Sequence, residues 1–274
     1  MPDAALAAPT IAAALNRASA QLAAAGCETP RLDAEVLLGF ALGVGRERLL
    51  LDAGRRLEVD AAERFDQLVS RRAAREPVAY ITGVKAFRRI GVKVDRRVLI
   101  PRPETELLVE VGLSLPRGAR VADVGTGSGA VALALQDERP DLEVWATDVS
   151  PGAVAAAREN GVARVVLADL LDGVPGQLDA VLANLPYVGD GALLPPDIEL
   201  YEPAGALFGG ADGLDVVRRL IAVAAGRGVP LLALEIGFDQ AEAVARLVHE
   251  AGFGSVSRLR DLAGWERVII GRRS

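Results

Sequence analysis

The first third of the chain carries apolar residues at helical spacing. Ile11, Leu15, Ala18 and Leu22 recur about one turn apart, between Thr10, suited to cap a helix N-terminus, and Gly26, suited to end one. A second helix is predicted to open at Pro30, where a missing N–H costs nothing, with Leu32, Val36, Leu37 and Phe40 as its buried stripe. Asp60 and Glu63 have the spacing of a capping box for a helix running to about Arg75. Arg71, Arg72 and Arg75 would then complement that helix's dipole, with no further partner required. Glu76-Pro77 breaks the pattern. Val78 to Ile81, then Gly83, then Gly91 to Leu99 read as a β-hairpin, closed by Pro101 and Pro103.

From Arg120 the period changes. Short strand-like runs alternate with helical segments, as in an open α/β sheet. Strands are predicted at 120–124, 143–147, 164–167, 178–183 and 230–236. A last pair, 255–260 and 266–271, lacks an intervening helix and is predicted antiparallel. The chain therefore divides into a helical domain over 1–75, a hairpin linker over 76–104 and an α/β domain over 105–274.

Composition narrows the class. The 274 residues, 51% hydrophobic and 25% charged, can bury a sizeable core and exclude a disordered chain. One cysteine, Cys27, excludes an intramolecular disulfide and a multi-cysteine metal cage, and one histidine, His249, excludes a His-rich metal site. The Ala-rich start lacks a basic n-region, and no run approaches the roughly 18 apolar residues of a membrane span, so a cytoplasmic protein is expected. A net charge of −6 argues against a phosphate backbone as main partner. Residues 46–102 nevertheless carry a net +7. That segment is either a solvated arginine-rich surface or a docking face for an acidic partner or RNA.

Two segments carry candidate chemistry. Val121 to Gly129 sits where a strand turns into a helix, and its glycines at 125, 127 and 129 let backbone approach a ligand closely. Asp148 ends the next strand about 20 residues on, where a carboxylate can accept both hydroxyls of a ribose. Gly125-x-Gly127-x-x-Ala130 also satisfies the loose dinucleotide pattern. Against that reading, Asp123 would repel a pyrophosphate but would hold a cationic amino group. The second segment, Asn184-Leu185-Pro186-Tyr187, follows a strand whose carboxyl end borders the ligand crevice. The Asn184 side-chain oxygen and the Leu185 carbonyl offer two acceptors, and Tyr187 a flat face. That set suits a planar nitrogen bearing two hydrogens. An amide or aromatic amine so held loses its proton as the new C–N bond forms, so no strong base is required.

These motifs resemble those of class I S-adenosylmethionine-dependent methyltransferases, which have a Rossmann-like, seven-stranded sheet. Glu76 to Gly83, Ile100 to Glu106, Glu202-Pro203, Ala206 to Gly213 and Trp265 to Arg267 narrow the resemblance, over almost the whole chain, to the PrmC/HemK-type release factor glutamine methyltransferase family. The resemblance implies S-adenosyl-L-methionine as cofactor. It implies as substrate the glutamine of the Gly-Gly-Gln loop in class 1 peptide-chain release factors, and a monomer needing neither membrane nor nucleic acid. Carried onto this chain, Asp123, Gly125, Thr126, Gly127, Ser128 and Gly129 would line the methionine and ribose part of the cofactor. Asp148 would hold the ribose, Asp169 and Leu170 would border the adenine, and Asn184 would also touch the cofactor. Asn184, Pro186 and Tyr187 would be catalytic and, with Leu185, would grip the glutamine amide. Arg102, Pro103 and Glu104 would belong to a wall of the cofactor pocket. The family usually has proline where this chain has Leu185. Asn-Leu-Pro-Tyr also occurs in adenine methyltransferases of ribosomal RNA, so a nucleic-acid adenine N-methyltransferase and a non-catalytic cofactor-binding protein stay open as alternatives.

Overall fold

The computed structural model describes residues 9–273. Its contacts divide the chain into two compact units, the first running to Gly83 and including Pro195–Tyr201, the second comprising Val84–Leu194 and the chain from Glu202 on. The first break therefore falls several residues beyond the composition break at Glu76-Pro77.

The first unit packs α1 (Ile11–Ala24), α2 (Pro30–Leu42), α3 (Arg46–Leu51), α4 (Val59–Ala73) and α5 (Val78–Thr82) around one apolar cluster that includes Leu15, Leu22, Leu37, Leu38 and Phe65. Thr10 caps α1 as expected, its hydroxyl accepting the Ala13 amide at 3.2 Å. Pro30 opens α2, and Gly43 in the left-handed region closes it. The buried face of α2 coincides with the expected one only at Leu37. Asp33, Ala34, Leu37, Leu38 and Gly39 point inward, while Leu32 and Phe40 are 42% and 51% exposed. The cause is a charge. Asp33 is buried because Arg72 donates to it at 2.7 Å, and an apolar count cannot register such a position.

Arg72 also donates to Asp197 at 2.7 Å, and Arg75 pairs with the same carboxylate. Tyr201 donates its hydroxyl to the Ala74 carbonyl at 2.7 Å. Arg71 pairs with Glu76 at 2.8 Å. These arginines are thus held by carboxylates, which corrects the expectation that the helix dipole alone accounts for them. Nor does the Asp60–Glu63 capping box form: α4 begins at Val59, after Glu58, with no side-chain cap. Val78 to Ile81 are helical rather than a strand. Pro77 precedes the turn, Thr82 Oγ1 donates back to the Val78 carbonyl at 3.0 Å, and Gly83, at φ 76°, stops it.

The second unit opens with a short hairpin, β1 (Val84–Phe87) and β2 (Ile90–Lys93). A 3₁₀ turn, Pro103–Thr105, leads into α6 (Glu106–Leu113). Then follow β3 (Arg120–Val124), α7 (Ala130–Glu138), β4 (Glu143–Asp148), α8 (Pro151–Glu159), β5 (Val165–Leu167) and β6 (Ala180–Asn184). The chain continues through α9 (Asp215–Gly226), β7 (Leu231–Glu235), α10 (Ala241–Glu250), β8 (Ser255–Arg260) and β9 (Glu266–Arg272). The sheet order is β5-β4-β3-β6-β7-β9-β8. The first five strands in that order are parallel, and β9 is antiparallel to both β7 and β8, as predicted for the final pair. Strands β3, β6 and β7 are almost wholly buried, as expected of a parallel sheet covered on both faces. Among the described residues no helix is long and apolar enough to cross a membrane.

Arg72 is almost fully enclosed and holds two carboxylates, so removing it leaves Asp33 without its cation and Asp197 with Arg75 alone. Arg72→Ala is expected to cost about 3–5 kcal/mol in urea denaturation. By contrast, Arg17→Ala, which breaks an ion pair more than half exposed on both sides, should cost less than about 1 kcal/mol.

Candidate active site

The carboxyl ends of β3, β4 and β6 border a cavity of about 530 Å³ in the second unit. That volume lies in the range of sites for nucleotide-sized ligands. Its walls include Gly125, Gly127, Asp148, Asp169, Leu170, Asn184, Leu185 and Pro186, so the two candidate segments meet at one place.

The glycine loop has a separate reason at each glycine. Gly125 lies against the catalytic segment: a Cβ there would stand 3.0 Å from Leu185 Cδ2 and 3.3 Å from the Asn184 carbonyl oxygen. Gly127 faces open space. Gly129 serves packing instead, since a Cβ would approach Val162 Cγ2 to 2.5 Å. Gly129 does not line the cavity, and neither do Thr126 and Ser128, contrary to the expectation that the whole loop does.

Asp123 is also corrected. Its carboxylate is 2% exposed and turned into the loop, accepting the Thr126 hydroxyl at 2.6 Å and the Ala132 amide at 3.2 Å. It braces the loop and the first turn of α7 rather than facing a ligand's amino group. Burial pushes it up to about 6, against the pull of those two donors.

Asp148 does reach the cavity. Its Oδ2 accepts the Gly127 amide and its Oδ1 the Ser150 amide, each at 2.9 Å, which fixes the carboxylate while leaving lone pairs free for hydroxyls. Burial raises its pKa from the ordinary aspartate value, against the pull of the backbone amides. On the far wall Leu170 adopts a left-handed backbone, φ 53°, which costs roughly 1–2 kcal/mol for a non-glycine residue. Its carbonyl accepts the Thr147 hydroxyl at 2.6 Å, a bond that helps hold the apolar side chain at the cavity. Asp169 pairs with Arg219, another lining residue.

Asn184 ends β6, half-buried, and its Nδ2 donates to Thr105 Oγ1 at 3.1 Å. Leu185 is 4% exposed and belongs to the main apolar cluster, which explains how leucine serves where the family has proline: the side chain is an anchor. Tyr187 stands outside this cavity. Its carbonyl accepts Gln240 Nε2 at 2.9 Å, and burial, aided by the charge of Glu235, pushes its phenol up to about 12. The linker contributes Arg97, Val98 and Leu99 to the wall; Arg102, Pro103 and Glu104 lie just outside it. Arg102 instead donates to Glu202 at 2.6 Å, and the same carboxylate accepts the Ile100 amide at 3.2 Å. Sequence reasoning missed Thr105 and Glu235. Glu235 could have been noticed as a carboxylate closing the apolar run Leu231 to Leu234.

A carboxylate acceptor for ribose hydroxyls, an apolar wall for a base and an open glycine fit S-adenosyl-L-methionine. Comparison with known proteins decides the family. Residues 13–83 match the model of the PrmC N-terminal domain, and residues 103–194 that of the methyltransferase small domain. A release factor glutamine methyltransferase of Moorella thermoacetica is 45% identical, over 96% of this chain and 99% of that one. The chain belongs to the release factor glutamine methyltransferase family. A second such relative, from Mycolicibacterium smegmatis, is 41% identical over 95% of this chain and 96% of its own. In fold, the second unit resembles the Thermus thermophilus 16S rRNA N2 G1207 methyltransferase, solved with AdoMet and guanosine. The TM-score is 0.50 at 19% identity, covering 70% of this chain and 50% of that one. The protein is thus a methyltransferase of the class I fold that uses S-adenosyl-L-methionine.

Asp148→Ala removes the acceptor for two hydroxyls and is expected to weaken binding of S-adenosyl-L-homocysteine roughly 10- to 100-fold by calorimetry. A second prediction concerns pH. Asp123 holds its proton more tightly when folded, so its contribution to stability is full below the unfolded value of about 4 and is lost as pH rises through about 6. Asp123→Asn should therefore gain stability relative to the parent as pH rises from 4 to 7, read as the difference in urea midpoints.

Proposed function

We propose that this protein methylates the side-chain amide nitrogen of the glutamine in the Gly-Gly-Gln loop of class 1 peptide-chain release factors. The observation that carries the reading is the state of Asn184. Its NH₂ group is engaged by Thr105, which leaves Oδ1 as an acceptor at the cavity wall beside Leu185 and Pro186. An acceptor there suits an incoming N–H and is wasted on a nucleophile that carries none.

When bound, S-adenosyl-L-methionine supplies the electrophilic methyl carbon on a sulfonium. The chain's part is positioning. Asn184 Oδ1 accepts one hydrogen of the glutamine amide and the Leu185 carbonyl the other, so the nitrogen's direction of attack is fixed. Such fixing contributes up to about 7–11 kcal/mol to lowering a barrier. Pro186 holds Leu185 extended, which keeps its carbonyl turned outward. Tyr187 stands outside the cavity, tied by its carbonyl to Gln240, and anchors the segment rather than touching the amide. With its phenol pushed up to about 12 it stays protonated near neutral pH and takes no proton. None is demanded beforehand: the amide N–H becomes acidic only as the new N–C bond forms and the S–C bond to the methyl breaks, and its proton then leaves to water as S-adenosyl-L-homocysteine is released.

The helical unit, matched by its own family model, is read as the part that recognises the release factor. The adenine alternative loses one of its two supports, the basic segment, while Leu185 remains common to both readings. Arg46, Arg48, Arg71, Arg72, Arg75, Arg88, Arg97 and Arg102 each pair with a carboxylate of this chain. About half of the segment's 15 cations are thus already paired, which lessens what it offers to a phosphate backbone. The protein is read as a cytoplasmic monomer acting on protein without nucleic acid.

Mass spectrometry of a release factor incubated with this protein and S-adenosyl-L-methionine should show one added methyl on the loop glutamine. Asn184→Ala should bind S-adenosyl-L-homocysteine nearly as the parent does and lose about 100-fold or more of turnover. Methylation of RNA, with the release factor untouched, would overturn the reading.

A further inference from the structure

Glu235 ends β7 directly opposite Asn184 in the parallel β6–β7 register. A carboxylate in that place needs a reason, because an apolar side chain would be cheaper to bury. The residue is 2% exposed. It takes a hydrogen bond from the Thr105 hydroxyl, and its Oε2 has no partner. Thr105, itself buried, accepts the Asn184 Nδ2 hydrogen at 3.1 Å. The other charged groups acting on Glu235 are Glu104, Arg267 and Arg102, and Tyr187 feels its charge.

The logic of the relay follows from counting hydrogens. A hydroxyl has one to give. While Glu235 is ionised and holds that hydrogen, the Thr105 oxygen can only accept, so the group it meets must be a donor. Of the two ends of the Asn184 amide only the NH₂ qualifies, and the carbonyl is left for the ligand side. A half-turn of the amide would set its carbonyl oxygen against an oxygen with no hydrogen to offer. The same turn would present NH₂ to the NH₂ of the acceptor.

We propose that Thr105 and Glu235 are positioning residues, which lock the Asn184 side chain with its carbonyl toward the glutamine amide and its NH₂ away. The inference rests on the reading of Asn184 as the partner of that amide. It gives a purpose to two residues that touch neither the cavity wall nor the expected substrate.

The test uses the full chain, a purified release factor, and four variants: Thr105→Val, which keeps the shape without the hydroxyl, Thr105→Ser, Glu235→Met and Asn184→Ala. For each, kcat and KM are measured with S-adenosyl-L-homocysteine affinity and melting temperature. Thr105→Val should lower kcat about 100-fold, the scale of a misplaced catalytic group, with cofactor affinity unchanged, and Thr105→Ser should restore most of it. Glu235→Met should keep or raise the melting temperature, because an uncompensated charge leaves the interior, while kcat falls as for Thr105→Val. Adding Thr105→Val to Asn184→Ala should cause no further loss, since residues acting through one group are not additive. Unchanged kcat in Thr105→Val overturns the proposal. So does a loss of kcat seen only together with cofactor affinity and melting temperature, or an equal loss in the Asn184→Ala background. Full turnover in Asn184→Ala would instead refute the reading of Asn184 itself.

Discussion

The parallel register of β3, β4, β6 and β7 is the constraint on which the site depends. Val124 lies level with Thr147 on one side and with Ala183 on the other, and Asn184 lies level with Glu235. Strands in such register end together, and beyond their ends the backbone must turn and polar groups must appear. Asp148, Asn184 and Glu235 are the last residues of their strands. One geometric fact thus sets the Asp148 carboxylate, the Asn184 side chain and the buried Glu235 carboxylate at the same edge. The close approach of Gly125 to Leu185 then joins the glycine loop to the Asn184–Tyr187 segment with no room for a side chain between them.

Holding polar groups inside such an edge is costly, and each one has a specific offset. Asp123 is braced by Thr126 and Ala132, Asp148 by two backbone amides, Glu202 by Arg102 and Ile100. Glu235 has only Thr105, and burial pushes it up to about 7. It is the least compensated of these carboxylates, and it stands nearest to Asn184 in the sheet. In the helical unit a similar arrangement, Asp33 and Asp197 on Arg72, incorporates Pro195–Tyr201, a stretch distant in sequence.

Much of this was legible from residue order. All seven strands of the large sheet lie within two or three residues of the runs expected from the sequence. The glycine loop and Asn184 to Pro186 were found because each motif needs particular residue types at fixed spacing. What escaped notice was long-range. The face of α2 was misplaced since its phase depends on Arg72, 39 residues away from Asp33. Val78 to Ile81 look like a strand by composition, yet the Pro77 start and Gly83 stop make them one helical turn. Asp123 seemed aimed at a ligand, but the loop folds back on it. Thr105 and Asn184, 79 residues apart, meet only in three dimensions.

The central claim is that an oxygen of Asn184, not its nitrogen, meets the acceptor. The most direct measurement is a crystal structure with S-adenosyl-L-homocysteine and a peptide bearing the Gly-Gly-Gln loop. The account predicts the glutamine amide nitrogen within about 3 Å of both Asn184 Oδ1 and the Leu185 carbonyl, with Asn184 Nδ2 still on Thr105. A glutamine bound elsewhere, or one whose carbonyl rather than nitrogen faces Asn184, would contradict it.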